Sequence, residues 1–110
     1  MKGSKSKGTR GEHEIEQILQ DYGLRAYRND QIFKGGKGNP DVFAEIAGIP
    51  IHIEVKRCER LNVTEAMHQA ERDAAQNALP VVMHRRNREK WLITVRLADL
   101  LAILSEKNVI

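Results

Sequence analysis

A single cysteine, Cys58, leaves this chain of 110 residues without an internal disulfide, which suits a reducing cytoplasm. Its thiol has no activating His/Asp partner nearby, so it reads as an ordinary strand-end thiol and not as a nucleophile. The four histidines, His13, His52, His68 and His84, are scattered and make no His-Glu-x-x-His pattern, so no structural zinc site is expected. No apolar run approaches the roughly 20 residues of a membrane-spanning helix. The basic first residues are not followed by an apolar signal-peptide core, and no internal repeat is present. With 41% hydrophobic and 30% charged residues the composition is that of a soluble globular protein. Its length allows one modest core and not two.

Strong charge of either sign is also missing: the net charge is only +3. The distribution says more than the total. Lys2, Lys5, Lys7 and Arg10 come before the first acid, Glu12. Lys34 and Lys37 punctuate a glycine-rich loop, and Arg85, Arg86, Arg88 and Lys90 form a third cluster broken by one acid. Such clusters can neutralise phosphates, although a solvated terminus and ordinary surface would look the same. The candidates for DNA contact are Lys5, Lys7, Arg10, Lys34, Lys37 and Arg57, and the basic turn at 85–90 is left without a role.

Along the chain, residues 1–8 read as a flexible basic arm and 9–110 as one domain. Thr9-Arg10-Gly11-Glu12 matches a capping box, followed by Ile15, Ile18, Leu19 and Tyr22 at helical spacing and by Gly23 as a stop. A short strand is expected over 24–28, then a glycine-rich loop over 29–39 whose spacing matches no phosphate-binding P-loop. Two strands over 41–47 and 49–57, joined at Gly48, read as a hairpin. Asn62 or Thr64 can cap a second helix reaching Ala78, with Ala66, Ala70, Ala74 and Ala78 as a narrow stripe against the sheet. Strands over 79–85 and 90–95 follow, with Trp91 as core, and Leu97, Leu100, Leu101 and Leu104 mark a closing helix. The order αβββαββα predicts an α/β fold, a mixed central β-sheet flanked by helices.

Asn39-Pro40-Asp41 and, thirteen residues after the aspartate, Glu54-Val55-Lys56 carry the chemistry. Period-two geometry turns Ile49, Ile51, Ile53 and Val55 one way and His52, Glu54 and Lys56 the other. Asp41 and Glu54, with the Val55 carbonyl, can offer oxygen ligands to Mg²⁺ or Mn²⁺, and Lys56 beside them can orient water or stabilise developing charge. Glu12 extends the stripe of the first helix toward the sheet and could join the metal set or hold a water, or could serve only as a cap partner. Glu16 is the alternative carboxylate on that face.

This conjunction resembles the PD-(D/E)xK nuclease superfamily, with Asp41, Glu54 and Lys56 as its motif residues. Within it, the chain looks most like small Holliday-junction resolvases of the archaeal type and their phage-borne relatives. The carrying stretches are Lys7-Gly8-Thr9-Arg10-Gly11-Glu12-His13-Glu14, Tyr22-Gly23-Leu24, Asn39-Pro40-Asp41-Val42 and Ile53-Glu54-Val55-Lys56. The resemblance implies a restriction-endonuclease-like core, Glu12 as the helical catalytic carboxylate, and a homodimer cutting paired strands of branched DNA. It also implies that Gln69 supports the lysine or contacts phosphate. Two departures stand: the stretch 32–39 holds no Ser or Thr where archaeal resolvases carry a hydroxyl, and the second half fits the VRR-NUC branch as well. A flap or duplex nuclease, or a non-catalytic DNA-binding module on the same scaffold, are the alternatives.

Overall fold

The computed structural model describes residues 2–29 and 40–110, the side chains of 2–7 excepted. In chain order the elements are α1 (Lys2–Asp21), β1 (Arg25–Arg28), β2 (Val42–Ile46), β3 (Ile49–Arg57), α2 (Val63–Asp73), β4 (Leu79–Arg85), β5 (Leu92–Thr94) and α3 (Leu97–Glu106). Among the described residues the strands form one five-stranded sheet in the order β1-β2-β3-β4-β5. It is antiparallel except for the β3–β4 pair, which α2 connects. The expected mixed sheet and the order αβββαββα are both present.

The central strand β3 is buried on both faces from Ile51 to Val55. Ile51, Ile53 and Val55 join Ile15 of α1 and Val42, Ala44, Val81 and Met83 in the main core. On the other face Ala66, Met67 and Ala70 of α2 pack with Val82 of β4. The strict alternation read from the sequence therefore separates two covered faces, and the polar residues on the α2 side are buried as well.

Helix α1 starts before the expected Thr9, so Thr9 and Glu12 lie within it and form no capping box. Once its middle is held against the sheet, each added residue gains a backbone bond, and no proline precedes Pro40 to stop it. The expected arm over 1–8 thus continues the helix backbone from Lys2. The packed stripe also differs from the expected one. Gly11 and Ile15 are buried and Leu19 packs against the core, whereas Ile18 and Tyr22 are exposed. A Cβ at Gly11 would sit 3.2 Å from Arg57 Cβ and 3.3 Å from Val55 Cγ1, so the glycine lets α1 lie close over the end of β3. The stop at Gly23 is as read. With φ +81 it closes a Schellman motif, Gly23 N–H donating to Gln20 O and Leu24 N–H to Leu19 O.

Asn62 caps α2 by accepting the Glu65 N–H, but the helix ends at Asp73, and Ala74 and Ala78 lie outside it. The parallel register pairs Leu79 with Ile51, so the chain must reach the far end of β3 before β4 begins. A helix of eleven residues covers roughly 16 Å of that return and the turn before Leu79 completes it. Helix α3 forms where expected but has no buried residue, and Leu97, Leu100 and Leu101 are exposed. It does not close the core. Trp91 packs against the main core as expected, while Ile93 is exposed.

Candidate active site

The site is built where one strand stops before its neighbour. The β2–β3 ladder ends at Val42↔Ile53, whereas β3 runs on to Arg57 beside β4. Asp41, just ahead of β2, fills the gap: its Oδ2 accepts the Val55 N–H at 2.8 Å, and its own N–H donates to Ile53 O at 3.0 Å. One carboxylate oxygen is thereby anchored and the other remains to act. Pro40 before it is buried and has no N–H to satisfy.

Glu54 projects from β3 on the α2 side and is 2% exposed. Its Oε2 lies 2.8 Å from Nε2 of His52, itself 3% exposed, and because a carboxylate only accepts, the ring nitrogen carries the proton. Strand alternation puts His52 on the same face as Glu54, outside any zinc pattern. Its partnership with Glu54 was missed, although the two-residue spacing signals it. Lys56 follows on that face, and its Nζ donates to Gln69 Oε1 at 3.2 Å, which joins α2 to the motif as the resemblance implied.

Three glutamates of α1 divide between its flanks. Glu12 lies 3.5 Å from Arg28 Nε, and Glu16 accepts the Arg28 backbone N–H at 3.0 Å. On the other side Glu14 takes a forked set of bonds from Arg85 at 3.1 to 3.3 Å and lies 3.7 Å from Arg57 Nη1. Glu16 therefore ties α1 to β1, and Glu12 stands nearer the motif. Burial raises the Glu12 carboxyl above its ordinary value, with Arg28 opposing. Asp41 is pushed up to about 7, first by burial and then by the charges of Glu54 and Glu12, against the Val55 N–H and Lys56.

The expected DNA contacts fare unevenly. Arg10 is exposed on α1. Arg57 is drawn inward to Glu14, with a side chain only 16% exposed, because α1 passes over it at Gly11. The side chains of Lys5 and Lys7, and Lys34 and Lys37 entirely, lie outside the described residues, as does the glycine-rich loop from 30 to 39.

The donor set suits a hard divalent cation. Asp41 and Glu54 offer oxygen only, and like charges that raise one another's proton affinity are relieved by a cation between them. Among the described residues no three of His, Cys, Asp and Glu stand close enough to hold a metal together. Glu12, the further carboxylate expected near the motif, is paired with Arg28 in the metal-free chain. Among the described residues, too, no helix is long and apolar enough to cross a membrane.

Comparison with known proteins agrees with this geometry. The solved structure of Hjc, a Holliday junction resolvase from the archaeal hyperthermophile Archaeoglobus fulgidus, superposes with a TM-score of 0.64 at 24% identity, over 80% of this chain and 76% of that one. That likeness establishes the fold. No curated protein matches the chain. The sequence pattern of the phage PDDEXK endonucleases matches residues 3–110, nearly the whole length. With its strand-end Asp41 beside Glu54-Val55-Lys56, the chain belongs to the phage PDDEXK endonuclease family.

Proposed function

We propose that this nuclease is a divalent-metal-dependent endodeoxyribonuclease that cuts branched DNA, a four-way junction above all, as a homodimer. The observation that carries the catalytic part is the convergence of Asp41, Glu54 and Lys56 at the point where β2 stops and β3 continues. Asp41 and Glu54 would hold Mg²⁺, or Mn²⁺ in its place, with the Val55 carbonyl as a third donor. Bound there, the cation supplies charge that polarises the phosphodiester and makes water more acidic.

The protein's own groups do the rest. The Val55 N–H fixes the Asp41 carboxylate, and His52 fixes that of Glu54, so neither has to reorganise when phosphate arrives. Gln69 holds the Lys56 ammonium toward the motif, where it orients the attacking water and stabilises the charge gathering on the phosphoryl oxygens. Glu12 assists from the α1 side through its charge, balanced by Arg28. A two-fold dimer matches the two-fold symmetry of a junction. The exposed leucines of α3 are a surface that a second copy would cover.

The test is a substrate panel: four-way junction, flap, linear duplex and single strand, each with Mg²⁺ and with chelator. Paired, symmetric nicks on the junction are expected, with none in chelator. Equal cutting of linear duplex would remove the junction preference, and binding without cutting on every substrate would reduce the protein to a DNA-binding module.

A further inference from the structure

The basic turn between β4 and β5 has no part in the site described above, yet it is the most deliberately built feature near it. Arg86, Arg88 and Lys90 are all exposed, and none has an acidic partner within 4 Å among the described residues. Arg85, by contrast, is turned inward. Its guanidinium binds Glu14, stacks 5.4 Å from the Trp91 ring centroid, and donates from Nη1 to the carbonyls of Arg86 at 3.1 Å and Glu89 at 3.5 Å. The turn is also closed by Glu89 N–H to Arg86 O, and is tied to the β3–α2 connection by Asn87 N–H donating to Glu59 Oε2 at 2.7 Å. Arg85 thus acts as the internal brace for three cations that face solvent, Arg86, Arg88 and Lys90.

Two further observations point to an anionic ligand. Arg88 has φ +64, a conformation in which glycine or asparagine is at ease and a long side chain is strained, so an arginine there costs stability that its charge must justify. The turn also walls a cleft of about 500 Å³ where Arg86, Arg88 and Lys90 stand with two carboxylates, Glu59 and Glu89, and Glu59 is already engaged by the Asn87 N–H. Its position is fixed by register. Lys56 pairs with His84 and Arg57 with Arg85, so the turn begins two residues beyond Lys56 on the adjacent strand. At about 3.3 Å per residue and about 5 Å between strands, its first residue stands roughly 8 Å from the lysine along the backbone, the scale of a neighbouring phosphate along one strand.

Resting on the nuclease reading of the site, we infer that Arg86, Arg88 and Lys90 form a duplex-DNA backbone contact that grips phosphates flanking the scissile one. The contact is sequence-independent, since three cations on a braced turn neutralise phosphates without reading base edges. Because the brace already holds the turn, little order has to be gained when DNA binds.

The test measures binding of the full chain to a duplex-armed junction in chelator, across a salt series, for wild type and the triple variant Arg86→Ala, Arg88→Ala, Lys90→Ala. The triple variant is expected to lower the slope of log K against log salt by about two to three and to weaken binding at least roughly tenfold at 0.1 M salt. Arg72→Ala, on α2 and paired with Glu65, should leave both unchanged. Arg88→Gly separates folding from binding: it relieves the backbone, so the melting temperature should hold or rise while DNA affinity falls. An unchanged slope and affinity in the triple variant would overturn the inference. Cleavage with Mg²⁺ is followed in parallel. Cutting by wild type with no binding defect in the triple variant removes this surface and leaves the nuclease reading intact. A binding defect without any cutting by wild type keeps the surface and removes the reading.

Discussion

Burial and the nearby Glu54 charge push the Asp41 carboxyl up to about 7, against 3.8 for an unperturbed aspartate. Free of metal, the folded chain therefore keeps a proton over a range in which the unfolded chain has lost it. The stability from this group is full below about 3.8 and is lost as pH rises through about 7, the reverse of a salt-bridged aspartate. Asp41→Asn removes the titration while keeping an acceptor for the Val55 N–H. In chelator its melting temperature should gain on wild type as pH goes from 4 to 8, by on the order of 1–3 kcal/mol in stability; a pH-independent difference would contradict this. Added Mg²⁺ should bind better as pH rises toward neutrality, because it competes with that proton. At this scale Asp41, Glu54 and Lys56 were legible, since strand period and a conspicuous motif suffice to find them. The partners of Glu12 and Glu14 were not, because Arg28 and Arg85 lie 16 and 71 residues away and no local pattern announces an ion pair across that separation.

Between elements, the turn joining β2 to β3 carries a cost that a single substitution can expose. Ala47 at φ +53 and Gly48 at φ +80 make the two-residue turn whose twist suits a hairpin, but alanine is strained in that conformation. Ala47→Asn or Ala47→Gly should stabilise the chain by about 0.5–1 kcal/mol in urea denaturation, with cleavage unchanged; a loss of stability would show that the turn is not of this type. Gly11→Ala should do the opposite, because its Cβ would press on Arg57 Cβ and Val55 Cγ1 and lift α1 from β3. A loss of about 1–3 kcal/mol is expected, together with weaker cleavage as Glu12 shifts. Strand β3 was readable to the residue and the hairpin's first strand to within one residue at each end, because alternation and Gly48 mark them. Gly11 looked like a spacer within a cap, since only the packed structure shows that a backbone needs to pass there. The ends of α1 and α2 were misread for a related reason: one is extended by propagation and the other cut short by the parallel register of β4, both tertiary effects.

For the molecule as a whole, α3 presents an apolar face to solvent. Leu97, Leu100 and Leu101 repeat at helical spacing and mark the closing helix, yet they are 70%, 39% and 45% exposed. Helical period identifies an apolar face and cannot say whether the same chain or another copy covers it. If a second copy does, sedimentation of wild type at micromolar concentration should show a dimer, and Leu97→Glu with Leu101→Glu a folded monomer. A wild-type monomer under those conditions would remove the homodimer. None of this bears on whether Asp41, Glu54 and Lys56 cut DNA. That claim is tested most directly by the single-turnover cleavage rate of a labelled four-way junction with Mg²⁺, for wild type and for Asp41→Asn at equal DNA occupancy. The account predicts a fall of at least about a thousandfold, some 4 kcal/mol of transition-state stabilisation, with DNA affinity retained; an Asp41→Asn rate within a few-fold of wild type would contradict it.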